Sequence, residues 1–120
     1  MTAETSIARV TARHAATLWL PVVLWAGLIF ALSSVPSLDS GLSWDYPLRK
    51  LAHAGEFAVL GALLARAVPE LAALWLGIAY AVVDELHQTF VPGRAGALLD
   101  VGIDSVGVLL GILALRRLAR

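Results

Sequence analysis

The chain has 120 residues, of which 59% are hydrophobic and 15% charged, with no cysteine and a formal net charge of zero. That length has room for one domain; zero net charge leaves no basic surface for nucleic acid, and the missing cysteine excludes disulfide frameworks and thiolate metal sites. A mean hydropathy of +0.80 exceeds what a small soluble domain carries on its large wetted surface; a helical protein with the lipid bilayer as its partner accounts for it.

Residues 1–14, MTAETSIARVTARH, are polar and read as a loose cytoplasmic tail. The stretch AATLWLPVVLWAGLIFALSSV, Ala15 to Val35, has no charge in 21 residues, enough for a helix to cross a hydrocarbon core of about 30 Å. A basic start followed by Ala31, Ser33 and Ser34 also fits a signal peptide. The apolar run is too long for a typical signal core and further apolar segments follow, so a retained helix is expected, with Pro21 in its first turns. PSLDSGLSWDYP, residues 36–47, is a loop whose Trp44 and Tyr46 suit a lipid–water interface. A second helix is predicted from Leu48 to Val68, closed by Pro69 and Glu70, and a third from Leu71 to about Phe90. VPGRAG turns on Pro92-Gly93. A fourth runs from about Leu98 to Leu115, and residues 116–120 form a basic cytoplasmic tail. The expected fold is therefore all-α, a four-helix transmembrane bundle over residues 15–115. Four crossings put both termini on one side with Arg9, Arg13, Arg66, Arg116, Arg117 and Arg120, against Arg49, Lys50 and Arg94 on the other. The positive-inside rule makes the six-residue side cytoplasmic, giving an N-in/C-in, multi-pass protein of the cell membrane.

The last three helices share one asymmetry: each is apolar in its cytoplasmic half and polar in its outer half. Glu56 lies 10 residues from Arg66, Asp84 13 from Leu71 and Asp104 12 from Arg116, depths of roughly 15 to 20 Å at 1.5 Å per residue. Helical spacing then groups Arg49, His53 and Glu56 on one stripe. Gly77, Ala81, Asp84 and Gln88 form a second, and Asp100, Asp104, Gly107 and Gly111 a third. His87 is three residues from Asp84, near enough for the carboxylate to orient its ring. Gly107 and Gly111 allow close approach of a neighbouring backbone, with Gly77 and Ala81 the expected partners. Ionisable groups within a bilayer face a partner or a wet cavity, so His53, Glu56, Asp84, Glu85, His87, Gln88, Arg94, Asp100 and Asp104 are taken together as a functional polar cluster in the extracytoplasmic half. Structural readings stand beside this one. Asp100 also suits the first turn of a helix by its dipole; Arg94 also suits neutralisation of Asp84 or Asp100; Glu85, about 100° around the wheel from Asp84, also suits a headgroup contact.

Taken in order, SSVP, RKLAHAGEF, DELHQTFVPGR and DVGIDSVGVLLG resemble the VanZ-like family of small membrane proteins, from about Trp25 to Gly111. Family-like positions are Ser33, Ser34, Pro36, Lys50, His53, Glu56, Asp84, Glu85, Gln88, Arg94, Asp100, Asp104 and Gly107. Arg49 stands where the family often has Asp, Phe57 where it often has Tyr, and Asp104 where Asn is frequent. The resemblance implies a cell-envelope role and, through the family's namesake, a link to low-level teicoplanin resistance; it assigns no reaction and no cofactor.

Three functions compete. The first is a binding protein that grips the head of an amphipathic ligand, such as a lipid-linked saccharide or glycolipid, in an outer-leaflet polar pocket. The second is a membrane-embedded enzyme working by paired carboxylates or by a divalent metal on His53, Glu56, Asp84, His87, Asp100 and Asp104, residue types that suit Zn, Mn or Mg; the spacing H-A-G-E matches no metalloenzyme motif. The third is a proton- or ion-coupled transporter, which four short helices would support only as a homo-oligomer.

Overall fold

A computed structural model describes residues 3–34, 45–91 and 98–119. Among them every regular element is helical: α1 spans Ala3–Ser33, α2 Asp45–Ala67, α3 Glu70–Gln88 and α4 Leu98–Leu118. The all-α expectation holds. Its boundaries shift where polarity was read as the absence of helix. Residues 3–14 are not a loose tail but the first turns of α1, because the segment contains no glycine or proline and its Ala, Glu and Arg are strong helix formers. The 31-residue α1 is consequently about 46 Å long, longer than a hydrocarbon core. Pro21 now lies in the helix interior, where its missing N–H leaves a gap in the ladder that transmembrane helices tolerate better than soluble ones. At the other end α4 continues to Leu118, so Arg116 and Arg117 are helical.

Pro69 separates α2 from α3. Its φ of −57° and ψ of 153° are non-helical, yet its carbonyl accepts the first intrahelical bond from the Ala73 N–H at 2.9 Å. Thus α3 starts at Glu70, one residue early. It ends at Gln88, before Phe90, because the last N–H groups reach back only three residues: Phe90 to His87 at 3.0 Å and Val91 to Gln88 at 3.1 Å. Such i→i+3 closure tightens a terminal turn and stops it.

Paired contacts set the directions of the helices. Lys50 meets Asp100, while a Cβ on Gly107 or Gly111 would collide with the carbonyl of Ala54 or Ala58; numbering rises together, so α2 and α4 run parallel. Along α3 it falls: Asp84 lies by His53, Gly77 by Val108 and Glu70 by Arg116. α1 runs with α3, since the Tyr80 hydroxyl donates to the Ala26 carbonyl and Ser34 pairs with His87. The indole N–H of Trp25 donates to the Glu56 carbonyl at 2.8 Å and ties α1 to α2. The result is an up-down-up-down bundle.

The close approach of α4 corrects one expectation. Gly107 and Gly111 do lie against another backbone, but it is that of α2 at Ala54 and Ala58; Gly61 of α2 answers with the carbonyl of Val108. Gly77 of α3 receives the Val108 side chain, whose Cγ1 would be 2.5 Å from a Cβ there. The small residues of α2 were hidden in the sequence by the polar stripe on the same helix. Below the polar residues, Ile29, Phe57, Leu60, Ala73, Ala81, Val108 and Ile112 make the buried core.

The exterior is apolar as well. Leu51, Leu71, Trp75, Val83, Leu86, Leu110 and many others are exposed, while Asp84, Glu85, Gln88, Asp100 and Asp104 are buried. Two helical stretches, Thr11–Ser33 and Leu98–Leu118, are long and apolar enough to cross a membrane. In α2 and α3 the polar residues crowd one end, which lowers their average but not the greasiness of the rest.

Candidate functional site

The polar stripes converge at the N-terminal ends of α2 and α4 and the C-terminal end of α3. His53 is the hub. Its Nε2 lies 3.3 Å from Asp84 Oδ2, and its Nδ1 lies 3.6 Å from Asp104 Oδ1 and 3.7 Å from Glu56 Oε2. Three helices thus deliver three of the expected carboxylates to one imidazole. Gln88, one turn beyond Asp84, donates its amide to Asp84 Oδ2 at 2.9 Å and places the same nitrogen 2.9 Å from His53 Nε2. Phe57 forms the floor, its ring centroid 5.5 Å from that of His53; Tyr80 follows at 6.0 Å from Phe57.

Burial here is unusually deep for carboxylates. Asp84 and Asp104 are each 1% exposed, and Asp100 3%. Asp84 Oδ1 and Asp104 Oδ2 have no hydrogen-bond partner among the described residues. Buried polar atoms in native proteins are almost always paired, and these two oxygens belong to the carboxylates that flank one imidazole.

Asp100 is placed by its own helix and by a neighbouring cation. It stands in the first turn of α4, where the helix dipole favours an acid, and it is held by Lys50 Nζ at 2.5 Å. Sequence reasoning put Arg49 on the inward stripe, whereas Lys50 makes the buried pair. Positions 49 and 50 are i−4 and i−3 from His53 and both border the same face; spacing cannot choose between them. Glu85 is buried at 7% and does not face headgroups: the end of α3 is enclosed widely enough to cover two adjacent positions.

His87 leaves the cluster. Its ring stacks on Phe30 with centroids 4.1 Å apart and its Nε2 pairs with Ser34 Oγ at 2.8 Å. Its i, i+3 relation to Asp84 is real, but the ring turns toward α1, a neighbour that helical spacing within α3 does not reveal. Arg94 lies outside the described residues, as do Pro36 and Trp44. Sequence reasoning missed Tyr80 and Trp25 as the anchors of α1, because nothing in a sequence tells which carbonyl an aromatic N–H or O–H will find. Far below, Arg116 grips Glu70 through both carboxylate oxygens, with Nε at 2.9 Å from Oε1.

No curated protein and no solved structure matches the chain. A family model does, from residue 3 to residue 119. That span takes in all three helices that build the cluster as well as α1, and on this evidence the chain belongs to the VanZ/LLP1 family and is a VanZ-like membrane protein.

Proposed function

We propose that this protein crosses the cell membrane four times with both termini cytoplasmic, and that its buried polar cluster opens toward the outer leaflet to bind the head of an amphipathic, glycolipid-like ligand. The observation that carries the reading is the inverted distribution of polarity: acids inside at one level, leucine and valine outside at every level. Lipid on all sides makes such a surface stable, and an ionisable group at that depth belongs to a functional site by default. Orientation follows from Arg66, Arg116 and Arg117, which sit at the end opposite the cluster, together with Arg9 and Arg13 of α1. Carboxylate oxygens without partners are acceptors that sugar hydroxyls can satisfy, which favours a saccharide head over a purely anionic one. A bearing on teicoplanin tolerance would follow from occupancy of such an envelope lipid.

Single cysteines at Thr5, Ser40 and Gly96 test the topology. Labelling of intact cells from outside is expected at Ser40 and not at Thr5; the reverse pattern overturns the orientation, and no label at either loop position overturns the four crossings. For the ligand, lipids that co-purify in mild detergent are expected to be retained by the wild type and lost by Asp84→Asn at unchanged abundance. Equal lipid content in both proteins sinks the binding reading.

A second reading is supported by the placement of His53 between two buried carboxylates, with Asp84 Oδ2 3.3 Å from its Nε2 and Asp104 Oδ1 3.6 Å from its Nδ1. An imidazole oriented by one carboxylate is the form of a general base, which suits hydrolysis of a lipid-linked substrate.

A further inference from the structure

We propose that His53, Asp84 and Asp104 form a divalent-cation site, with one imidazole nitrogen and one oxygen from each carboxylate as its protein ligands. The site goes beyond the lipid-binding reading and does not depend on it. Four observations carry it. One ligand atom from each residue can be chosen so that all three lie within 4.8 Å of one another. Metal bonds of about 2.0–2.2 Å place neighbouring ligand atoms about 3 Å apart, so small side-chain rotations suffice to close the set. Asp84 Oδ1 and Asp104 Oδ2 are buried without a hydrogen-bond partner among the described residues, on carboxylates each 1% exposed. The third observation is charge. Asp84, Glu85, Asp100 and Asp104 are buried and Glu56 half-buried at this end, and they outnumber the cations of α2 there, Lys50 and Arg49. Lys50 is already committed to Asp100. Holding Asp84 and Asp104 charged side by side in a membrane interior is costly, and a doubly charged ion offsets both at once.

The fourth is support around the set. Gln88 donates to Asp84 Oδ2 at 2.9 Å and places the same nitrogen 2.9 Å from His53 Nε2, so it orients the carboxylate and the ring together, as outer-shell partners do in metal sites. Phe57, fully buried, blocks the ring of His53 from below. One imidazole and two carboxylates with remaining positions for water suit Zn, Mn or Mg. The rival arrangement on the same residues is a protonated His53 bridging two carboxylates with no metal, and the experiment separates the two.

Untagged full-length protein in mild detergent is stripped with EDTA, dialysed, and titrated separately with Zn²⁺, Mn²⁺ and Mg²⁺ while thermal unfolding and bound metal are measured. Binding of one ion per chain is expected with a rise in Tm, together with visible absorption bands of a bound ion when Co²⁺ is used as the probe. Asp104→Asn and His53→Gln are expected to weaken binding by at least roughly tenfold, the scale on which metal sites respond even to outer-shell changes. Glu70→Gln, at the far end of the bundle, is expected to bind as the wild type does. No stoichiometric binding by the wild type overturns the site in favour of the imidazolium bridge, and so does equal binding by the wild type and Asp104→Asn. The Co²⁺ spectrum is read on the wild type alone, so poor folding of a variant leaves the test intact. Lipid content has no part in the readout, so failure here is distinguishable from failure of the headgroup reading.

Discussion

Gly111→Leu is expected to be the most damaging single substitution in the packing of this protein. The position faces the backbone of α2, and a Cβ alone would collide with the carbonyl oxygen of Ala58. A carbonyl in a helix cannot rotate away as a side chain can, so relief requires α2 and α4 to separate. Overpacking a filled core costs about 1–3 kcal/mol and sometimes more; the upper end is expected here because the obstacle is main chain. Separation of α2 from α4 also pulls Lys50 from Asp100 and His53 from Asp104, so the loss spreads to the polar cluster. Thermal unfolding in detergent measures it. Gly102→Ala is the internal control: a Cβ there meets nothing within 4 Å, and relief of the glycine penalty in a helix should raise stability by up to about 1 kcal/mol. Equal behaviour of the two variants would mean that α2 and α4 do not pack as closely as the structure places them.

Lys50→Met should be nearly as severe. Asp100 is 3% exposed and paired with Lys50 at 2.5 Å. Removing one member of a buried ion pair leaves a desolvated charge and typically costs about 3–5 kcal/mol, whereas replacing both by apolar groups of similar volume is often neutral. The double variant Lys50→Met with Asp100→Leu is therefore expected to recover most of the lost stability, with a coupling of about 0.5–3 kcal/mol in the double-mutant cycle. Additive losses would show that the pair contributes nothing as a pair. The same cycle bears on function: recovery of stability without recovery of ligand or metal would place Lys50 and Asp100 in the site and not only beside it.

The identity of the inward stripes was legible in the sequence because it depends only on the geometry of a single helix. Gly77, Ala81, Asp84 and Gln88 share one face at i, i+4, i+7 and i+11, and Asp100, Asp104, Gly107 and Gly111 another; all eight are buried. The number of helices and their punctuation at Pro69 were legible for the same reason: prolines and apolar runs act locally. Choices that involve two helices were not. Spacing could not select Lys50 over Arg49, since both border the stripe of His53, nor assign Gly107 and Gly111 to Ala54 and Ala58 of α2 when Gly77 and Ala81 of α3 offered equally small partners. His87 went to Phe30 and Ser34, and Glu85 went inside, for reasons that exist only once α1 and the end of α3 are in place. Sequence by itself determined the inward stripes of α3 and α4 and their common level, because the 3.6-residue period is a property of the chain. Only the tertiary structure decided which inward residues meet, because the pairing of two faces depends on the rotation and depth of each helix against its neighbours, and several arrangements satisfy the same period.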